Sequence, residues 1–233
     1  MTKPIGIIAA MEKEISHLRS LMKTTKTRKT HISDFYSGEL FDKNVVLVRS
    51  GIGKVNAAAC TQALIDLYNT DFIINIGVGG GLDNKLKIGD IIIAEDLVQY
   101  DFDLTIFGHK QGVIPDLKES YFKCDQKILD LIKKSPDKLN MTSKIYFGRI
   151  ISGDKFISDS IEKKVLAEKF NALCTEMEGA AIAQVCYINS IRFMVVRTIS
   201  DNANNDALSD YENFSDLVAK NNCDLVKNIL DLV

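Results

Sequence analysis

Two apolar runs in this 233-residue chain end in acid, and a third acidic pair opens an alanine-rich stretch. Met11, Glu12 and Glu14 follow Ile5–Ala10, and Ser200 and Asp201 follow Phe193–Ile199. Glu176 and Glu178 flank Met177 just before Gly179 and Ala180. Open α/β sheets bind ligands in the crevice beyond the carboxyl ends of their strands. Three separate segments thus bring carboxylates where such a sheet gathers them, and carboxylates there can do general acid and base chemistry. Each also has a purely structural account. Glu12 and Glu14 suit a helix N-terminus through the macrodipole. Asp201 suits a turn or cap ahead of Asn202, and Glu176 and Glu178 suit the first turn of a helix. Arg197 resists such an account. It interrupts an apolar strand, and a buried guanidinium without an anion is costly, so a nearby glutamate is expected.

The elements that must position these residues follow from hydrophobic periodicity. Ile5–Ala10 is a continuous apolar run, the pattern of a strand buried on both faces of a parallel sheet, and Asp71–Ile76 reads as another buried strand. Phe35–Leu40 and Val45–Arg49, joined through Phe41–Asn44, read as a hairpin, so part of the sheet is antiparallel. Gly89–Val98, Ile145–Ile151 and Phe193–Ile199 are the remaining strands. Helices are expected over Glu12–Met22, Asn56–Tyr68, Gln126–Lys134, Ser160–Phe170, Glu178–Ile188 and about the last 20 residues. Gln99–Lys123 has weak periodicity, and so long a loop usually serves or covers a site. No internal repeat, low-complexity tract or linker divides the chain. The expectation is one α/β domain over residues 1–233, a mixed, mostly parallel twisted sheet with helices on both sides.

Composition narrows the function classes. Hydrophobic residues at 46% and charged residues at 26% suit a soluble globular protein with a large core. A formal charge of -2, from 29 basic and 31 acidic residues, leaves no electrostatic footprint for nucleic acid. No stretch reaches the apolar length of a membrane span, and the N-terminus lacks a secretory cleavage pattern, so a cytoplasmic protein is expected. The five cysteines form no C-x-x-C pair, and Cys60, Cys174 and Cys186 read as buried, inert thiols. His17, His31 and His109 are scattered and read as surface or loop residues; no metal site is expected. Gly77-Val78-Gly79-Gly80-Gly81 fails as a dinucleotide fingerprint because position 82 is Leu. That run marks either a tight backbone crossing or close approach to a small ligand. Ser50-Gly51-Ile52-Gly53-Lys54 fails as a P-loop, with Val48 at the first glycine position and Val55 after the lysine.

Five segments in order carry a resemblance: residues 6–14 (GIIAAMEKE), 50–58 (SGIGKVNAA), 152–157 (SGDKFI), 176–180 (EMEGA) and 197–201 (RTISD). Together they resemble the 5'-methylthioadenosine/S-adenosylhomocysteine nucleosidases, within the purine nucleoside phosphorylase superfamily. The resemblance runs from about residue 5 to the C-terminal helix. It implies that Glu14 positions and activates the attacking water, with Arg197 supporting the water and its carboxylates. It makes Asp201 the acid that protonates N7 of adenine, with Ser200 holding it. Glu178 would grip the ribose hydroxyls, beside Met177 under the sugar. Phe156 would stack on adenine, and the Ile157 backbone would read the base edge. Glu176, Ile52, Val78 and Gly79 fall among the substrate-contacting positions. The resemblance also implies a homodimer in which Phe107 and Pro115 reach the neighbour's 5'-substituent pocket, which would explain the length of Gln99–Lys123. One departure is visible. Many relatives have Gly-Ser-Ala-Gly where this chain has Gly77-Val78-Gly79-Gly80, so no hydroxyl is offered there.

The residue types suit the chemistry thus implied. Adenine leaves more easily when protonated at N7, and burial of Asp201 would favour the required acid form. The sugar becomes cationic as the bond breaks, which a neighbouring Glu178 carboxylate favours. No metal or organic cofactor is called for. A phosphorylase on the same fold would need cations for phosphate near the first strand. Glu14 there repels phosphate and suits water. A non-catalytic nucleoside-binding protein would not need Glu14, Asp201 and Arg197 together. The expected substrates are 5'-methylthioadenosine and S-adenosylhomocysteine, with 5'-deoxyadenosine and futalosine-like nucleosides unranked, in methionine salvage and the recycling of S-adenosylmethionine by-products.

Overall fold

In the computed structural model, which describes residues 3–134, 143–203 and 222–233, the first aliphatic run becomes strand β1 (Ile5–Ala9), buried throughout. Successive side chains of a strand point to opposite faces, so full burial means that both faces are covered. Helix α1 (Glu12–Leu21) follows, then three antiparallel strands, β2 (Lys23–Lys29), β3 (Asp34–Leu40) and β4 (Lys43–Arg49). Phe41 and Asp42 connect β3 to β4 with φ of 49° and 61°. Two successive positive φ values give the turn a twist that matches the strands it joins. Helix α2 (Lys54–Tyr68) begins directly after Gly53 (φ 95°), and Asn69 ends it in the left-handed conformation.

The chain continues as β5 (Phe72–Asn75), β6 (Val78–Gly81), β7 (Ile91–Gln99), a 3-10 turn at Thr105–Phe107 and the short β8 (Phe122–Lys123). Next come α3 (Gln126–Lys134), β9 (Ile145–Ser152), α4 (Ser160–Phe170), β10 (Ala172–Glu176), α5 (Gly179–Ile188) and β11 (Arg192–Asp201). A final helix is described over residues 222–230; the earlier part of the expected C-terminal helix lies outside the described residues. Asp159 caps α4, its carboxylate accepting the Ile161 and Glu162 N–H groups.

The strands form one mixed sheet in the order β2-β3-β4-β1-β5-β11-β6-β10-β9-β7-β8. Pairing is parallel from β4 through β1, β5 and β11 to β6, and antiparallel strands stand outside that run. The expected mixed, mostly parallel sheet is therefore present, with one addition. Strand β11 also pairs with β7, Val196 opposite Ile93 and Thr198 opposite Ile91. That pairing closes β11, β6, β10, β9 and β7 into a ring, while β2 to β5 remain an open sheet. One strand serves both parts: Arg192–Val195 pair with β5, and Thr198–Asp201 pair with β6.

Four strands were not anticipated. β2 has no apolar alternation because all seven residues are exposed at the sheet edge. β6 is mostly glycine, a residue normally unfavourable in strands. Its small size is needed here, since a Cβ at Gly79 would lie 2.4 Å from Cys174 Sγ on β10. β8 and β10 are short and lack periodicity. All five cysteines are buried and unbonded, and burial raises the Cys60, Cys174 and Cys186 thiols, as expected of inert thiols. Among the described residues no helix is long and apolar enough to cross a membrane.

Candidate active site

The carboxyl ends of β1, β10 and β11 meet around a cavity of about 330 Å³. Eleven of the residues singled out in the sequence line it: Glu14, Ile52, Val78, Gly79, Phe156, Ile157, Glu176, Met177, Glu178, Ser200 and Asp201. Ala10, Met11, Gly80, Lys155 and Thr175 are the other described residues of the wall. Phe107 and Pro115 do not line it. Phe107 is 75% exposed on its 3-10 turn and Pro115 is half-buried, so neither serves the cavity of its own chain.

Glu14 sits in the first turn of α1 yet is only 4% exposed. Its Oε2 accepts the Met11 N–H at 2.8 Å, and Oε1 accepts the Val78 N–H at 3.1 Å. The structural account and the functional one therefore coincide: the carboxylate caps its own helix and faces the cavity. Burial raises its pKa above the ordinary value, against the opposing pull of the Met11 N–H and the Arg197 charge. Gly77 makes this approach possible, because a Cβ there would lie 2.8 Å from Glu14 Oε1. The missing hydroxyl at position 78 also gains a context. Val78 holds Glu14 through its backbone, which any side chain would supply.

Arg197 is 1% exposed, and its expected glutamate is Glu176. Its Nη2 donates to Glu176 Oε2 and, at 2.6 Å, to Asn75 Oδ1; Nη1 donates to the Val196 carbonyl at 2.9 Å. Three carboxylates, Glu176, Glu178 and Glu14, outweigh the effect of burial and hold the guanidinium charged. Glu176 is equally engaged. It accepts the Ser152 hydroxyl and the N–H groups of Glu178 and Gly179, closing the start of α5. It is the last residue of β10 rather than a first-turn acid.

Glu178 has a different environment. Its Oε1 accepts the Gly53 N–H at 2.8 Å. Burial, and then the neighbouring Glu176 charge, push its pKa up to about 7. Asp201, 2% exposed, is fixed by the Ser200 hydroxyl on Oδ2 and the Ala203 N–H on Oδ1, each at 2.8 Å. Gly80 leaves room for it, since a Cβ there would lie 3.0 Å from Asp201 Oδ1. At the mouth, Phe156 is 45% exposed beside the buried Ile157.

Sequence reasoning missed Asn75, Ser152 and Gly53. Asn75 carried a readable signal, a polar residue ending the apolar Phe72–Asn75 strand. Ser152 and Gly53 stood inside the quoted segments, but their partners, Glu176 and Glu178, are 24 and 125 positions away. The three histidines are exposed. Among the described residues no group of three or more His, Cys, Asp or Glu side chains is arranged to hold a metal ion.

A family model of the phosphorylase superfamily matches residues 4–231. A Staphylococcus haemolyticus protein named 5'-methylthioadenosine/S-adenosylhomocysteine nucleosidase is 40% identical over 231 residues, 98% of this chain and all of that protein. The nucleosidase of Neisseria meningitidis, solved with methylthio-immucillin-A, matches with a TM-score of 0.94 and 34% identity over the full length of both chains. The futalosine hydrolase of Helicobacter pylori matches with a TM-score of 0.93 and 30% identity over 99% of this chain and 98% of that one. The sheet, the cavity and these full-length matches agree, and the chain belongs to the phosphorylase superfamily and, within it, to the 5'-methylthioadenosine/S-adenosylhomocysteine nucleosidases, a family of N-glycosidic hydrolases.

Proposed function

We propose that this protein hydrolyses the N-glycosidic bond of 5'-methylthioadenosine and S-adenosylhomocysteine, releasing adenine and the 5'-thioribose. The observation that carries this reading is the acidic lining of the cavity, with a buried carboxyl on each side of the space a nucleoside would fill. Among the described residues four carboxyl side chains, those of Glu14, Glu176, Glu178 and Asp201, line it, and the one lysine there, Lys155, is held by Glu162. Such a wall favours a sugar that becomes cationic as the bond breaks, and it disfavours phosphate.

Each residue then has a role. Adenine lies against Phe156, with its edge at Ile157 and N7 at Asp201, which Ser200 and Ala203 hold in one orientation. Asp201 gives its proton to N7 as the C1'–N9 bond breaks. Glu14, raised in basicity by burial, takes a proton from the water whose oxygen bonds to C1'. Arg197 keeps Glu176 in place and lowers the cost of charge on Glu14. Glu178 receives the ribose hydroxyls on the oxygen that Gly53 leaves free, with Met177 beneath the sugar. Ile52, Val78 and Gly79 line the rest of the nucleoside's path.

Residues 1–233 act as one nucleoside phosphorylase-like domain, and two copies form a dimer. Phe107 and Pro115 of one copy close the 5'-substituent end of the other, a role supported by the exposure of Phe107 and Ile106 at 75% and 88%. 5'-Deoxyadenosine is a further substrate, and the setting is methionine salvage in the cytoplasm. A futalosine-type nucleoside is the second substrate reading, carried by the 0.93 TM-score to the futalosine hydrolase. The 40% identity to a methylthioadenosine nucleosidase ranks it second.

The test is product identification with purified protein and 5'-methylthioadenosine, with and without phosphate. Adenine and free methylthioribose, formed at a rate independent of phosphate, are expected. A sugar 1-phosphate formed only with phosphate would overturn the role of Glu14. Turnover of futalosine alone would promote the second reading.

A further inference from the structure

The N-terminus of α2 is closed by two carboxylates from distant parts of the chain. Gly53 N–H donates to Glu178 Oε1 at 2.8 Å, and Lys54 N–H donates to Asp154 Oδ1 at 2.8 Å. These are orphan donors at the positive end of a 15-residue helix, where carboxylates are favoured. Asp101 ties the arrangement together. Its Oδ1 accepts Lys54 Nζ at 2.5 Å, and its Oδ2 accepts the Asp154 N–H at 3.0 Å. Lys54 Nζ also donates to Gln99 Oε1 at 3.0 Å. One aspartate therefore fixes the side chain of the first α2 residue and the backbone of the residue that holds its N–H.

We propose that Asp101 is a positioning residue for the ribose end of the cavity, holding the 50–54 turn where Gly53 can bind Glu178. This rests on the reading that Glu178 receives the ribose hydroxyls. Gly53 adopts φ 95°, and a Cβ there would lie 3.2 Å from Asp154 Oδ1, so the turn fits closely against Asp154. Without Asp101, Lys54 loses its ion pair and Asp154 loses the acceptor of its backbone N–H. The turn then has fewer ties to keep Gly53 on Glu178. Glu178 becomes free to turn its bound oxygen away from the fixed direction, and the other oxygen no longer meets the sugar in one orientation. Asp101 belongs to the irregular segment 99–123, so the bracket also links that segment to the sugar site.

The experiment compares kcat/KM for 5'-methylthioadenosine with that for its 2'-deoxy analogue. Glu178→Gln tests the underlying reading by itself. A lost preference for the ribo substrate upholds that reading, and an unchanged preference removes it whatever Asp101 does. Asp101→Asn is expected to lower the preference about tenfold, the scale of one charge-assisted hydrogen bond. Adenine affinity, read by calorimetry, should stay unchanged. Added to Glu178→Gln, Asp101→Asn should cost nothing further, because both act through the same carboxylate. Asp154→Ala cuts the bracket at its other tie and should reproduce the loss. Equal losses on both substrates, or full additivity with Glu178→Gln, would overturn the proposal.

Discussion

Strands β1, β4 and β5 stack Ile7, Leu47 and Ile74 side by side, each fully buried, whereas the ring strands carry Gly79, Glu176, Arg197 and Asp201 into the interior. β11 passes from one regime to the other. Phe193–Val196 are apolar and continue the aliphatic layer, and from Arg197 the strand turns polar. The open sheet gains stability from plain burial and needs no partner for any side chain within that layer. The ring buries ions, which is tolerable only because almost every polar atom has a partner. Chemistry is concentrated where burial is expensive. The adjoining aliphatic half supplies the stability that makes such burial sustainable.

This contrast can be broken by substitution. The largest effect belongs to Asp201→Asn, which should cut kcat by about 10²–10⁴ while substrate binding and the melting temperature hold. Near-normal kcat would take Asp201 out of the acid role. Arg197→Met should cost about 3–5 kcal/mol in urea unfolding, since Glu176 would stay buried without its cation. A loss like that of a surface site would mean that the Ser152 hydroxyl and the Glu178 and Gly179 N–H groups suffice for Glu176.

Titration sharpens the comparison further. The carboxyls of Glu178 and Glu14 are raised in the folded protein, so each binds a proton more tightly there than in the unfolded chain. Their stabilising contribution is present at low pH and is lost as pH rises. For Glu178 the window runs from 4.5 to about 7. Thermal midpoints of the wild type, measured against Glu178→Gln, should fall across that window, and a flat difference would contradict the burial argument. The smallest effect should come from the open half. Ile7→Val should cost about 0.5–1.5 kcal/mol and leave kcat unchanged; a large kcat loss would show the aliphatic layer to be part of the catalytic machinery.

The same contrast explains what could be read from the chain. The aliphatic strands were legible because a buried strand must be apolar throughout, as Ile5–Ala9 and Val45–Val48 are. β6 and β10 were not, because their reason for being strands is a neighbour across the ring: Gly79 gives way to Cys174, and Thr175 pairs with Gly80. Ring closure was likewise hidden, since it depends on Val196 finding Ile93 about a hundred positions earlier. Glu14, Asp201 and Arg197 were visible as charges set against apolar runs. The groups that hold Arg197, Glu176 and Glu178 were not. Asn75, Ser152 and Gly53 are ordinary polar and small residues whose importance lies wholly in distant partners.

The strand shared by both parts also dictates an order of assembly. β5 and β7 each wait for β11, so both leave an unpaired edge until residues 192–198 have been synthesised. A chain emerging from the ribosome can form the β1–β4 layer early, but neither its cavity nor its ring can close before nearly all of it is available. Stalled or truncated chains ending before Arg192 would expose two apolar strand edges at once. That makes the late arrival of β11 the step at which this protein is most open to aggregation.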